Sequence, residues 1–334
     1  MGSKFFFSLN SLKSEEFPGG TVVNLTSDQT PGFQNISFTG VKLKKGGFIG
    51  PIWHPNAQKL AYCIKGSCAV TMRTPHSLES YTVKEGDMFF LPKGYVHAIE
   101  NTFDGETIVK FAYNHIKPET MYLSKAMNSL SDEVFTATFD TPASFYEGLK
   151  KNQKSSFVGT LSDQKKAPNN GANKYKFNVK DSAKPVLTKG GYLQIATKTN
   201  LPTLEGLGLL RFGLNPGGVV EPHWHTNAGE LVYIVKGETK ITILSPDGKV
   251  EVLSVKGGEG AFAPASYFHN IQNVGKDEVE VLAFFSDAEP DYIGLGESVG
   301  AFSNEVLAAI FNVKPEYFSA FKKPNDALII VPLS

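Results

Sequence analysis

At 334 residues the chain is longer than one hydrophobic core usually grows and suits two domains of ordinary size. Basic and acidic side chains number 33 each, giving a formal net charge of zero, and no long run of like charge breaks the balance, so nothing favours nucleic acid or an acidic membrane surface as a partner. The longest apolar stretch near the start, Phe5-Phe6-Phe7, is far too short for a membrane span or a signal-peptide core, which predicts a soluble, cytoplasmic chain.

The first half consists of short runs rich in valine, isoleucine, phenylalanine, tyrosine and threonine, punctuated by glycine, proline, asparagine and aspartate, the sign of an all-β sandwich or barrel. Within it stand Gly46-x7-His54-x4-Lys59-x6-Gly66 and Gly86-x5-Pro92-x-Gly94-x2-His97-x3-Asn101. If Lys65-Gly66 is a two-residue hairpin turn, Cys63 and Cys68, the only cysteines, stand opposite each other on an inward face. A disulfide is then conceivable, and two buried thiols are the expectation in a reducing compartment. Residues 131–151 change to helical periodicity, opened by a serine suited to cap an N-terminus and closed by paired lysines that suit the helix dipole. Residues 152–173 carry Lys165, Lys166, Pro168 and Gly171 and read as an exposed linker. Strand-like runs resume at 192–197, 208–214, 239–244 and 279–285, and a second helical stretch covers 303–323.

The second half carries Gly217-x5-His223-x-His225-x4-Glu230-x6-Gly237, followed by Gly258-x5-Pro264-x4-His269-x3-Asn273. His223 and His225 lie two apart in a strand-like segment, so their imidazoles leave the same face of the pleat. Residues 226–229 are turn chemistry, and the run from Glu230 onward reads as the returning strand that brings this carboxylate beside the histidines. His269 completes the set from a remote strand. A lone histidine is more often a satisfied core residue, but three imidazoles and one carboxylate at fixed spacings point to a metal site. One carboxylate leaves a divalent ion with residual positive charge and positions open for water or substrate.

The two halves repeat each other at an offset of about 171 residues. The motifs align almost without gaps, and the only two tryptophans, Trp53 and Trp224, fall at equivalent places. The match extends past the motifs, pairing 131–139 with 303–311 and Phe145-Tyr146-x3-Lys150-Lys151 with Tyr317-Phe318-x3-Lys322-Lys323. A tandem duplication follows. The predicted domains are residues 1–151, a linker at 152–175, and residues 176–334. In the first copy Ile52 takes the place of His223 and Lys59 that of Glu230, leaving His54 and His97. Two imidazoles and an ammonium repel a divalent cation, so no metal is expected there. The pocket of His54, Lys59 and His97 could instead hold an anion; the bland alternative is a vestigial domain with Lys59 snorkelling outward.

On these motifs the chain resembles the cupins, with Ser266 standing where the second motif usually has glycine, a change expected to cost little. The arrangement of two such domains with following helices is similar to bicupins, among them the oxalate decarboxylases and the legumin- and vicilin-type seed storage globulins. The resemblance implies two jelly-roll barrels (double-stranded β-helices), each with a helical appendage. It implies manganese, with iron, nickel or zinc as alternatives, on His223, His225, Glu230 and His269. It does not carry over the rest of a decarboxylase site: the substrate-binding arginine would fall on Val220 and the glutamate proton donor on Ala283, and the lid after the first barrel has no match around residues 113–119.

Three functions fit this pattern. The first is a metal-dependent enzyme, a decarboxylase or dioxygenase, acting on a small carboxylate or other oxygenated metabolite; its catalytic residues beyond the ligands are not identified. The second is a non-catalytic binding or storage-like bicupin. The third is a sugar-phosphate isomerase or epimerase, which needs a cationic phosphate pocket, with Arg211 as the one arginine in a nearby strand. Apolar residues on the appendages, Val306, Leu307, Ile310, Phe311, Phe318 and Phe321, exceed what one packing stripe needs and predict a homo-oligomer.

Overall fold

The computed structural model describes residues 3–151, 157–162, 168 and 171–333. The chain forms two compact units, one comprising Leu12–Leu25 and Ser37–Asn178, the other Met1–Ser11, Thr26–Ile36 and Val179–Ser334. In the N-terminal unit a seven-stranded antiparallel sheet runs Lys176–Asn178, Asp87–Leu91, Lys59–Lys65, Thr107–Tyr113, Ser37–Leu43, Gly20–Leu25, Glu15–Phe17. Its second sheet runs Met121–Tyr122, Gly47–Trp53, Val96–Asn101, Ser67–Arg73, Leu78–Lys84, with Val158–Thr160 also on Gly47–Trp53.

The C-terminal unit repeats this plan. One sheet runs Phe6–Ser8, Glu259–Ala263, Glu230–Lys236, Val279–Phe285, Gly208–Leu214, Gly191–Ala196, Val186–Thr188. The other runs Val250–Lys256, Glu238–Leu244, Phe268–Asn273, Gly218–Trp224, Ile293–Gly294, with Ile330–Pro332 also on Gly218–Trp224. The jelly roll predicted from sequence is therefore present twice, as a pair of sheets in each unit and not as a closed ring of hydrogen bonds. Alternate residues of each strand face the pair's interior: Val279, Val281, Ala283 and Phe285 from one sheet pack with Val220, Ile241, Ile243 and Ile271 from the other. Burying each large side chain of this kind contributes about 1.5–3 kcal/mol.

Three sequence expectations change. The predicted boundaries divide the chain too simply, because Phe6–Ser8 pairs with Glu259–Ala263 in the C-terminal unit while Lys176–Asn178 pairs with Asp87–Leu91 in the N-terminal one. The expected linker contributes a strand, Val158–Thr160, whose Val158 is fully buried; most of the lysine- and asparagine-rich run at 165–173 lies outside the described residues. Finally, Lys65-Gly66 does not join a hairpin. The two flanking strands lie in different sheets, and Gly66, at φ 82°, sits where the chain crosses between them. Cys63 stands opposite Val109 and Cys68 opposite Val83 and Asn101, and both are buried free thiols.

The helices follow their caps. Ser131 accepts a hydrogen bond from the Val134 amide ahead of helix Asp132–Phe139, and Ser303 accepts one from Val306 ahead of Asn304–Phe311. Phe135 stacks on Tyr146 of the next helix, Ala143–Lys151, at 4.1 Å; its C-terminal counterpart, Pro315–Ala320, is a 3₁₀ helix. Leu307 and Phe318 are buried in a satellite cluster, whereas Ile310 and Phe311 are 71% and 65% exposed.

Candidate metal centre

His223 lies in the strand Gly218–Trp224, in register with His269 of Phe268–Asn273. His225 follows the end of that strand, and its carbonyl accepts from the Ser266 amide at 2.8 Å. Glu230 opens the strand Glu230–Lys236 of the other sheet. The sequence reading of a returning strand is corrected accordingly: residues 226–229 carry the chain from one sheet to the other, and Glu230 meets the histidines across the interior. The four ligand atoms lie within 4.8 Å of one another, and all four residues are buried.

Each imidazole is oriented by a backbone carbonyl. His223 Nδ1 lies 2.7 Å from the Glu221 carbonyl, His269 Nδ1 lies 2.8 Å from that of Tyr267, and His225 Nδ1 bonds the Asp291 carbonyl. A carbonyl only accepts, so Nδ1 carries the hydrogen and Nε2 turns a bare lone pair inward. Those Nε2 atoms stand 3.8, 3.1 and 2.8 Å from Glu230 Oε2 for His223, His225 and His269 respectively. Burial, with the neighbouring His269 and His225, pushes His223 down to about 4 and keeps its ring neutral. Three lone pairs and a carboxylate oxygen thus converge with no proton to share between them, a donor set that fits a divalent cation.

A cavity of about 220 Å³ opens onto this centre, lined by Leu193, Ile195, Leu210, Phe212, Val220 and Ile330 among others. Tyr292 also lines it and stacks on the His223 ring at 4.5 Å with an interplanar angle of 16°. Tyr292, Asp291 and Glu221 were not singled out from sequence: Asp291 and Glu221 act through backbone carbonyls, which leave no side-chain signature. Val220 and Ala283 are apolar wall and core. Arg211 faces away from the cavity that its neighbours Leu210 and Phe212 line, and bonds Glu280 at 2.8 Å, Gln194 and Tyr192. It supplies no phosphate pocket here.

The N-terminal counterpart also gathers its residues. Lys59 points inward and is 2% exposed, so the outward snorkelling alternative does not hold. Its ammonium nitrogen lies 3.5 Å from His97 Nε2 and over the rings of Phe111 and Tyr113, at 4.3 and 5.6 Å. His54 and His97 turn Nδ1 to the carbonyls of Glu119 and Tyr95, each at 2.9 Å, as in the other unit. Burial pushes Lys59 down to about 7 and, with Lys59 beside it, His54 down to about 3. The motif asparagines are structural in both units: Asn101 and Asn273 each donate to the backbone carbonyls of a neighbouring strand and a loop.

Residues 9–144 and 177–317 match the family model described as Cupin. The chain is 24% identical over 334 residues to the oxalate decarboxylase OxdC of Bacillus subtilis (strain 168), spanning 98% of this chain and 86% of that protein. Over 142 residues it is 30% identical to Germin-like protein subfamily 2 member 1 of Arabidopsis thaliana, covering 40% of this chain and 65% of that one. The structure of oxalate decarboxylase from Bacillus subtilis at pH 4.6 superposes with a TM-score of 0.87 at 20% identity, covering 100% of this chain and 89% of that chain. A structure devoted to the Mn(II) centres of the same enzyme gives the same score at 20% identity.

Proposed function

The chain belongs to the cupin family, whose fold it carries twice, and from that premise we propose a metal-dependent enzyme holding one divalent ion on His223, His225, Glu230 and His269. Manganese is the first choice, since the related Bacillus subtilis enzyme has Mn(II) centres; iron, nickel and zinc accept the same donors. The observation that carries the reading is the convergence of three oriented Nε2 lone pairs on one buried carboxylate. When bound, such an ion supplies Lewis acidity and coordination positions for a substrate oxygen. The chain's own residues then hold the imidazole tautomers, fix the His223 ring against Tyr292 and exclude water with an apolar wall.

The substrate in this reading is a small oxygenated metabolite, and the reaction is not oxalate decarboxylation. Val220 and Ala283 stand where a binding cation and a general acid would be needed, and positioned acid–base groups contribute about 10²–10⁴-fold. The alternative is a non-catalytic, storage-like bicupin. Elemental analysis of the purified chain, followed by a screen for carbon dioxide release and oxygen uptake over small carboxylic acids, separates these. About one ion per chain with turnover of some acid is the expected result; metal without any turnover favours the storage-like reading, and rapid manganese-dependent formate production from oxalate contradicts the reaction class.

A further inference from the structure

We propose that the cavity over the centre selects a chelating ligand of single negative charge with an apolar body, such as a branched 2-oxo acid, and discriminates against small dicarboxylates. This inference rests on the metal reading above and names its substrate class.

Charge gives the first argument. A divalent ion with the Glu230 carboxylate leaves one net positive charge, which a monoanionic chelator neutralises. A dianion leaves a net negative charge in a buried site, and among the described residues lining the cavity none is lysine or arginine. Unpaired charge in such a place is strongly disfavoured.

Shape gives the second. The cavity's 220 Å³ corresponds to roughly seven waters at about 30 Å³ each, so a two-carbon diacid would leave most of it unfilled against leucine, isoleucine, phenylalanine and valine side chains. An aliphatic body fills that space, and each methylene it buries is worth about fourfold in affinity. The third argument is a polar group in waiting. The Tyr292 hydroxyl is buried with no partner in good hydrogen-bonding geometry among the described residues, its neighbouring acceptor being the buried Glu221 carboxylate, while its ring is fixed against His223. It is placed as a donor to a ligand oxygen near the centre, and a buried donor without a partner is unusual enough to need such an explanation.

The test uses the full-length chain loaded with Mn(II), its content confirmed by elemental analysis, and titrated separately with oxalate, pyruvate and 2-oxo-4-methylpentanoate by calorimetry and by the Mn(II) electron paramagnetic resonance line shape. The branched acid is expected to bind roughly tenfold to fiftyfold more tightly than pyruvate, and oxalate more weakly than the branched acid. Val220→Arg should raise oxalate affinity at least tenfold and lower that of the branched acid; Tyr292→Phe, which keeps the ring, should weaken the branched acid about tenfold. A loaded wild-type chain that binds oxalate as tightly as the branched acid, or that fails to distinguish the branched acid from pyruvate, overturns this proposal alone. A chain that takes up no Mn(II) is loaded with Fe(II), Ni(II) or Zn(II) and titrated by calorimetry in the same way, and one that takes up none of these ions overturns the metal reading and this proposal with it.

Discussion

Both units aim the lone pairs of buried histidines at one point, and they answer the resulting negative potential in opposite ways. In the C-terminal unit Glu230 adds a carboxylate, 2.8 Å from His269 Nε2, so the charge there calls for a cation from outside. In the N-terminal unit Lys59 brings an ammonium to the equivalent place, 3.5 Å from His97 Nε2, and supplies the cation from the chain itself. The orienting carbonyls match in both: Glu119 and Asp291 behind the second motif histidine, Tyr95 and Tyr267 behind the last. What separates a metal-ready centre from an internally compensated one is therefore the charge at one strand-opening position together with Ile52, which faces His97 where His223 faces His269.

The sharpest way to break this comparison is to exchange those charges. Glu230→Lys replaces a ligand with a like charge and should reduce bound metal from about one ion per chain to near none. Lys59→Glu alone should not create a tight second site, because Ile52 still withholds an imidazole. Elemental analysis of wild type and both variants decides it: full metal retention in Glu230→Lys, or about two ions per wild-type chain, would mean that the centre is elsewhere.

The convergence of His223, His225, Glu230 and His269 was legible in the sequence because it depends on particular side chains at spacings set by strands, and those survive as letters. The helix caps at Ser131 and Ser303 were legible for the same reason. The strand runs around 208–214 and 279–285 were likewise matched residue for residue by Gly208–Leu214 and Val279–Phe285, since both are long enough to show a pattern. Three-residue edge strands such as Phe6–Ser8 and Lys176–Asn178 are too short to show period two, so which unit they would join was not readable. The connections at Lys65-Gly66 and residues 226–229 were misread as hairpins because tight turns between apolar runs usually join neighbours; in this topology successive strands pass from one sheet to the other. Asp291 and Glu221 contribute main-chain carbonyls, which any residue could have offered.

A second prediction concerns the cost of the internal cation. Burial lowers Lys59 from an ordinary lysine value to about 7, so between about pH 7 and pH 10.5 the unfolded chain holds a proton that the folded chain lacks, and stability rises with pH across that window. Below about pH 7 the folded state bears the full cost of charging this amine, roughly 3–5 kcal/mol before other contacts offset it. Lys59→Met should therefore stabilise the N-terminal unit at pH 6 by a few kcal/mol, with the advantage shrinking as pH approaches 10. Trp53 and Trp224 lie one in each unit, so urea unfolding followed by fluorescence in a Trp224→Phe background isolates the relevant transition. A gap between variant and parent that is unchanged from pH 6 to pH 10 would show that Lys59 is not charged at a cost in the folded state.

The smallest expected effect tests whether the two units carry the same backbone. Ser266 takes the turn position at φ 64° and Gly94 its counterpart at φ 81°; the amides of both donate to a motif histidine carbonyl, His225 for one and His54 for the other, at 2.8 and 2.9 Å. A left-handed conformation costs a residue with a side chain about 1–2 kcal/mol relative to glycine, so the serine at 266 is less neutral than its sequence context implied. A Cβ on Gly94 would meet nothing within 4 Å, which removes packing from the account and leaves backbone strain alone. Gly94→Ser, which copies the C-terminal unit, should then destabilise the N-terminal unit by about 1 kcal/mol, a fall of roughly 2–4 °C in its melting temperature. A loss several times larger would mean that a neighbour occupies the space the serine needs; an unchanged transition would mean that the turn relaxes out of the left-handed region, and the equivalence of the two turns would fail.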